Sequence, residues 1–292
     1  MADLAWINGE ICDLNEAKVP FLDHGYFFGY GVYEALKVYE GKPFAFEEHM
    51  DRFDRSMKEI RIQPDFTRSD LKAIVNDLIL KSGLQDAMVY MQVTRGVAPR
   101  SHGILKNAKP FLTMFISYLP PVPEKYRQFG VKAVILKDDR WAHPYIKTLN
   151  LLPNVLAKQI AEEHDAYEAI LVRENGYISE AASSNVFAVL DDDTIITAPL
   201  DGKILGGISR QVLIKIIAEN NLKFKEEYFT VQQLKQAREV FVTNTGAEVL
   251  AVTNLDGEPV GSGKPGALTQ RLYELFMEKV RQDIKNYELI AK

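Results

Sequence analysis

Cysteine is almost absent from this chain of 292 residues, which contains one, Cys12. A single cysteine excludes an intramolecular disulfide, and it has no cysteine partner for a zinc site. No apolar run approaches the roughly 20 residues that cross a bilayer. The sequence does not open with a basic region followed by an apolar core, so we expect no signal peptide. These absences predict a cytoplasmic protein without a membrane partner.

Clusters of basic residues are missing too. The formal net charge is -5, and charged residues make up 26% of the chain. A nucleic-acid-binding surface would require lysines and arginines close together, so we expect no nucleic-acid partner. The hydrophobic fraction of 47% is ordinary for a globular protein, and the length allows two domains.

Several enzyme motifs are also missing: a Walker loop, a GxSxG elbow, a dinucleotide fingerprint and a metal-binding pair of histidines. In their place the sequence has Lys147, within the segment 140–150 that separates a predicted strand from a predicted helix. A lysine held in a pocket can lose its proton, attack a carbonyl and form a Schiff base. Most lysines are simply exposed, and this segment alone leaves both possibilities open.

Hydrophobic periodicity predicts a mixed α/β protein whose helices and strands do not alternate strictly, as in α+β folds. Three prolines within 119–124 predict a stiff linker. We therefore predict a small N-terminal domain over 1–119, a linker over 120–130 and a larger C-terminal domain over 131–292. The predicted helices cover 47–60, 67–83, 153–164, a segment after 205–210, and 265–287. The predicted strands cover 4–11 (a hairpin), a segment up to 39, 88–94, 111–118, 131–136, 168–173, 184–190, 194–197, 239–243 and 248–253.

Two glycine-containing turns are candidate phosphate sites. Residues 206–209 open a predicted helix, whose first N–H groups and dipole favour an anion, and residues 244–246 follow a predicted strand. Arg52, on the first long helix, could complete one phosphate site. Each feature also has an ordinary alternative, a capping turn or a solvated arginine.

Two further groups could bind a ligand. Glu180 precedes a run of small residues that leads into an apolar strand, so its carboxylate needs a partner. That partner could be a cofactor nitrogen, a backbone amide or an arginine. Arg100 and His102 lie in a long loop and could clamp a carboxylate, or both could be exposed to solvent. An amine, an acid and phosphate donors together are the minimum that a pyridoxal phosphate enzyme requires.

Five blocks in this order resemble the fold-type IV pyridoxal phosphate enzymes, and most of all the bacterial D-amino acid aminotransferases. The blocks are 29–34, 95–102, 146–152, 179–187 and 207–210. The resemblance implies a small N-terminal α/β domain, a larger C-terminal domain with a mixed-sheet pseudo-barrel, and a homodimer. It also implies that Lys147 forms the Schiff base with pyridoxal 5'-phosphate and moves the proton at the substrate Cα. Glu180 would face the pyridine nitrogen and keep it protonated.

The resemblance assigns the remaining site residues in two groups. The phosphate would be held by Arg52, Ile208, Ser209 and Thr245, with Arg140 close to the cofactor. The substrate carboxylate would be bound by Tyr33, with Arg100 and His102 reaching in from the other subunit of the homodimer. Three positions depart from the D-specific relatives, which usually have Arg, Asp and Ser at His24, Tyr30 and Ala182.

The expected reaction is a ping-pong transamination. It moves the amino group of a D-amino acid, such as D-alanine, to a 2-oxo acid such as 2-oxoglutarate. Within the same fold, the alternatives are a branched-chain L-amino acid aminotransferase and an aminodeoxychorismate lyase. A protein that binds a phosphate ligand without catalysis is the alternative from a different functional class.

Overall fold

The computed structural model describes residues 2–103 and 108–289. The chain forms two compact units. The first comprises Met1–Pro121, Ile146–Asn150 and Val280–Lys292, and the second comprises Val122–Tyr145 and Leu151–Lys279. Within the described residues, no helix has the length and apolar character needed to cross a membrane.

The first unit is built on an antiparallel sheet. Its elements are β1 (Leu4–Ile7), β2 (Glu10–Asp13), a 3-10 helix (Leu14–Glu16), α1 (His24–Phe28), β3 (Gly31–Tyr39), β4 (Lys42–Pro43), α2 (Phe46–Glu59), α3 (Arg68–Ser82), β5 (Ala87–Thr94) and β6 (Phe111–Tyr118). The strand order is β2-β1-β6-β5-β3-β4. The hairpin predicted over 4–11 is confirmed as β1 and β2, which the Asn8-Gly9 turn joins. A capping box formed by Thr67 and Asp70 opens α3, within the helix predicted over 67–83.

Helix α1 was not predicted, because five residues are too few to show helical periodicity. Its ends have a local cause. The Asp23 carboxylate accepts a hydrogen bond from the Gly25 amide at 2.8 Å, and Gly29 ends the helix with a φ of 60°. A side chain at that φ would be strained, which explains the glycine.

Strand β3 has two unlike faces. Val32, Leu36 and Val38 are fully buried, as is Glu34 between them. Side chains alternate along a strand, so Tyr33 lies on the opposite face. The alternation therefore places one carboxylate, Glu34, in an apolar row, where it requires a charged partner.

The second unit contains a larger mixed sheet. Its elements are α4 (Glu124–Phe129), β7 (Val131–Lys137), α5 (Leu152–Glu163), β8 (Glu168–Val172), β9 (Ile178–Ala181), β10 (Asn185–Val189), β11 (Ile195–Thr197), α6 (Ile208–Glu219), β12 (Phe224–Glu226), α7 (Val231–Lys235), β13 (Glu239–Asn244), β14 (Glu248–Leu255), β15 (Glu258–Pro259) and the start of α8 (Ala267–Asn286). The strand order is β12-β11-β10-β13-β14-β7-β8-β9, and β15 pairs with β14. Strand β7 runs parallel to β14 and β8, and β11 runs parallel to β12.

The sheet of the second unit curls. Strand β9 lies at one end of the strand order and β10 near the other, yet a short turn joins them, with Ala181 N donating to Ser184 O at 2.7 Å. The two ends of the sheet therefore approach each other, as in a partly closed barrel. The predicted mixed α/β class is confirmed.

Candidate active site

Lys147 lies in the first unit, on a segment bound to the edge of β3. Tyr33 N donates to Lys147 O at 3.0 Å, and Leu149 N donates to Gly31 O at 3.1 Å. The amine Nζ lies 4.2 Å from the centroid of the Tyr33 ring, and Lys147 is half-buried. The side chain therefore packs over an aromatic face, which attracts its charge, instead of extending into solvent.

An aromatic row holds the Tyr33 ring. Tyr33 stacks on Tyr90 with ring centroids 5.4 Å apart, and Tyr90 stacks on Phe115 at 5.1 Å. The three rings stand on the neighbouring strands β3, β5 and β6. The register pairs Tyr90 with Phe115 directly, whereas Tyr33 lies diagonally from Tyr90, two residues before its partner Ala35. Stacking on this row limits the motion of the surface over which the Lys147 amine lies.

Arg52 is buried, so the solvated-arginine alternative is wrong. Its Nε donates to Glu34 Oε1 at 2.7 Å and its Nη2 donates to Oε2 at 2.8 Å. His49 Nδ1 lies 2.7 Å from the same Oε2. Burial by itself would raise the pKa of Glu34, but Arg52 and His49 outweigh it and hold that pKa far below its ordinary value. Burial lowers the pKa of His49, so the neutral ring donates its Nδ1–H to Glu34.

Arg100 and His102 share one contact in the first unit. The Arg100 guanidinium carbon lies 5.0 Å from the centroid of the Phe28 ring, and the His102 ring lies 5.2 Å from the same ring. Phe28 in turn contacts the buried His24 ring at 5.1 Å. Helix α1 thus brings the two residues of the predicted carboxylate clamp together. Both remain exposed, and residues 104–107 of their loop lie outside the described part of the chain.

Glu180 lies in the second unit and is almost fully buried. Arg140 Nη1 donates to its Oε1. Arg140 is itself held by Asp138, which accepts from Nε and from Nη2 at 2.9 Å each, and Asp138 also accepts from Ser179 Oγ at 2.6 Å. Burial raises the pKa of Glu180, and the Arg140 charge offsets part of that rise.

Further donors reach Glu180 from two other elements. Asn185 Nδ2 donates to Oε2 at 3.0 Å, and the Leu205 amide donates to both carboxylate oxygens, at 3.2 and 3.1 Å. An ionised carboxylate has about four lone-pair positions. Arg140, Asn185 and the shared Leu205 amide make four hydrogen bonds to these positions, two on each oxygen.

The two candidate phosphate turns are also in the second unit. Gly207 precedes α6, whose first turn carries the buried Ile208 and Ser209. The first N–H groups of a helix have no acceptor within that helix, and they point toward an anion placed at its start. Thr245, half-buried, lies in a turn that is closed by Ala247 N donating to Asn244 Oδ1 at 2.6 Å.

Comparisons with known proteins agree on one family. The family described as amino-transferase class IV matches residues 31–255. A D-alanine aminotransferase of Staphylococcus haemolyticus is 44% identical over 93% of this chain and 95% of its own length. A D-alanine aminotransferase of Bacillus licheniformis is 42% identical over 94% and 95%. The chain belongs to the class IV aminotransferases.

Solved structures of class IV aminotransferases have the same fold. A branched-chain amino acid aminotransferase of Escherichia coli superposes with a TM-score of 0.89 at 26% identity, covering 100% of this chain and 99% of that one. A second branched-chain amino acid aminotransferase, solved with pyridoxamine 5'-phosphate, gives 0.88 at 27% identity, covering 97% and 95%. The predicted fold, enzyme class and cofactor are confirmed: this is an aminotransferase that uses pyridoxal 5'-phosphate.

The residues of this class IV aminotransferase fit that cofactor. The Glu180 carboxylate is a hydrogen-bond acceptor, as a protonated pyridine nitrogen requires. The α6 N-terminus and the 244–246 turn offer donors suited to a phosphate. Within the described residues, the Thr243 hydroxyl and the Arg210 Nε are buried without a hydrogen-bond partner, and these residues lie beside the two turns.

The sequence did not identify several residues of this class IV aminotransferase site. Glu34 and His49 bind Arg52, Asp138 holds Arg140, and Asn185 binds Glu180. One pattern could have indicated Glu34, because a carboxylate at a buried position of an alternating strand needs a charged partner. The partners of Asp138 and Asn185 depend on the fold and have no local pattern.

Proposed function

We propose that this aminotransferase moves the amino group of D-amino acids, such as D-alanine, to 2-oxo acids such as 2-oxoglutarate. One observation carries the proposal: three relatives named D-alanine aminotransferases are 40% to 44% identical over at least 93% of the chain. The two half-reactions share one site in ping-pong order, so the 2-oxo acid enters after the first product has left.

Lys147 and Glu180 carry the chemistry in this proposal. Lys147 would hold the cofactor through Nζ, and the same amine, once displaced by the substrate amine, would take the proton from the substrate Cα. When bound, pyridoxal 5'-phosphate supplies an electron sink for the charge left at Cα. Glu180 keeps the ring nitrogen protonated, and Arg140 holds the Glu180 carboxylate in place. The phosphate is bound by Arg52, by the first turn of α6 at Ile208 and Ser209, and by Thr245.

The substrate carboxylate is assigned to Tyr33 and, from the second subunit of the homodimer, to Arg100 and His102. Arginine provides a planar pair of donors that matches a carboxylate, and the contact of both Arg100 and His102 with Phe28 supports their acting together. The side of the cofactor on which the carboxylate is held determines which enantiomer presents its Cα–H to the lysine. The preference for D-amino acids therefore depends on this loop more than on Lys147.

The decisive assay compares two amino donors with 2-oxoglutarate as acceptor. D-Alanine should yield pyruvate, which a coupled lactate dehydrogenase reports, and L-leucine should give little 4-methyl-2-oxopentanoate. Turnover of L-leucine alone would overturn the proposal in favour of a branched-chain L-amino acid aminotransferase. That second candidate is favoured by the solved structures, whose names include branched-chain aminotransferases at 26% and 27% identity.

A homodimer and a cytoplasmic location complete the proposal. Leu152, Val155, Leu156 and Ile160 form an exposed apolar stripe on α5, with 67%, 57%, 49% and 37% of their surface accessible. Apolar stripes of this kind suit a contact with a second copy.

The single cysteine suits a reducing compartment such as the cytoplasm. Recovery of the protein outside the cytoplasm in cell fractionation would contradict that location.

A further inference from the structure

Asn185 is a buried amide at the first position of β10. Its Nδ2 donates to Glu180 Oε2 at 3.0 Å and to the Leu205 carbonyl at 2.9 Å. Both hydrogens of the amide are therefore used, one on the carboxylate and the other on the segment that precedes α6.

Both polar backbone groups of Leu205, the N–H and the carbonyl, are hydrogen-bonded to site residues. Its amide donates to the two oxygens of Glu180, and its carbonyl accepts from Asn185. The same carbonyl accepts from Gly207 N at 2.9 Å, and α6 begins at the next residue. Glu180 and Asn185 thus hold the chain at Leu205, three residues before the first residue of α6.

Gly207 provides an independent observation. Its backbone, with φ of -60° and ψ of 138°, is open to any residue. A Cβ built there, however, would overlap Oδ1 of Asn185, whereas at Gly206 the nearest neighbour of such a Cβ lies 3.5 Å away. Glycine is required at position 207 by the close approach of Asn185 and not by the backbone conformation.

We propose that Asn185 is a positioning residue that sets the spacing between the Glu180 carboxylate and the N-terminus of α6. The inference rests on the proposed roles of these groups, which bind the ring nitrogen and the phosphate of one rigid cofactor. Two contacts to a rigid molecule reinforce each other only when their spacing matches it. Asparagine suits this position because aspartate could not donate, and it would place a second negative charge beside Glu180.

The first test measures how much the phosphate contributes to binding. Apoenzyme is titrated with pyridoxamine 5'-phosphate and with pyridoxamine, neither of which forms a Schiff base with Lys147, and the ratio of the two dissociation constants is recorded. Wild type should bind pyridoxamine 5'-phosphate more tightly than pyridoxamine, and Asn185→Ala should reduce the ratio of their dissociation constants by about tenfold or more. The reason is that the ring nitrogen and the phosphate can no longer be bound at the same time. Asn220→Ala is the matched control, since Asn220 Nδ2 binds the Ile216 carbonyl at the opposite end of α6.

The outcomes of this titration distinguish failure of the positioning role of Asn185 from failure of the proposed function. Equal losses for both ligands in Asn185→Ala, or a ratio equal to that of Asn220→Ala, would overturn the positioning role. Failure of the wild-type protein to bind pyridoxamine 5'-phosphate would instead overturn the proposed function. Asn185→Ser serves in the same comparison if the alanine variant does not fold by circular dichroism.

The second test alters the close contact between Gly207 and Asn185 directly. Gly207→Ala should weaken pyridoxamine 5'-phosphate binding by about tenfold, while Gly206→Ala should stay within about twofold of wild type. In the Asn185→Ala background, Gly207→Ala should add less than about a further twofold, because its steric partner is gone. If the double variant lost binding by the product of the two single-variant losses, the two substitutions would act independently, and the proposal would be contradicted.

Discussion

Glu34→Gln tests the buried charge cluster on which the placement of Arg52 depends. The carboxylate is fully buried and accepts three hydrogen bonds, two from Arg52 and one from His49. Glutamine keeps the shape, but it has one acceptor oxygen, and its NH2 group would face donors. The substitution therefore removes the negative charge that faces the buried Arg52 guanidinium.

The expected decrease in the free energy of unfolding follows from the loss of this buried ion pair. Removing one partner of a buried ion pair destabilises a protein by about 3–5 kcal/mol. Glu47→Gln is the matched control on α2, the helix that carries Arg52 and His49, because Glu47 is 64% exposed and lies 3.5 Å from Arg68. A surface pair of this kind contributes about 0–1 kcal/mol.

Urea unfolding followed by fluorescence measures the difference. The chain has two tryptophans. A Trp141→Phe background leaves Trp6, on β1 in the first unit, as the reporter of the unit that contains the cluster. We expect Glu34→Gln to lower the free energy of unfolding by about 3–5 kcal/mol at pH 7 and Glu47→Gln by no more than about 1.

The pH dependence has a definite sign. The folded-state pKa of Glu34 lies far below its ordinary value of 4.5. Its stabilising contribution is therefore complete above pH 4.5 and is lost as the pH falls from there through the depressed pKa. The gap between wild type and Glu34→Gln should be constant from pH 6 to 8 and should narrow below about pH 4.5. A Glu34→Gln loss no larger than that of Glu47→Gln, or a gap that widens in acid, would refute the reasoning.

Three further predictions concern catalysis and assembly. Lys147→Ala should abolish the covalent attachment of the cofactor and its visible absorption band; a band that survives would favour the non-catalytic phosphate-binding alternative. Arg100→Ala removes a charge-assisted contact of about 2–3 kcal/mol, so KM for D-alanine should rise about 30- to 150-fold, and loss of cofactor affinity instead would contradict the role of Arg100. Leu156→Glu should dissociate the homodimer in analytical ultracentrifugation, because a charge at the centre of the α5 stripe would have to be buried; an unchanged sedimentation coefficient would place the dimer interface elsewhere.

The sequence alone was sufficient for features with a local cause. Long helices such as α2, α3 and α8 show their periodicity over about four turns or more, and the hairpin over 4–11 is marked by its adjacent Asn8 and Gly9. The five family blocks indicated the cofactor, Lys147, Glu180 and the glycine turn before α6. Some short elements, such as α1, β9, β12 and α7, were missed because so short a segment carries less than one full pattern.

Only the tertiary structure decided which groups bind the site residues. Glu34 and Arg52 are 18 residues apart, Asn185 and Leu205 are 20 apart, and Asp138 and Ser179 are 41 apart. A buried charge or amide requires a hydrogen-bonding partner, and the sequence predicts that requirement. The identity of the partner depends on strand register and helix placement, which result from the packing of the whole unit and leave no periodic trace in the chain.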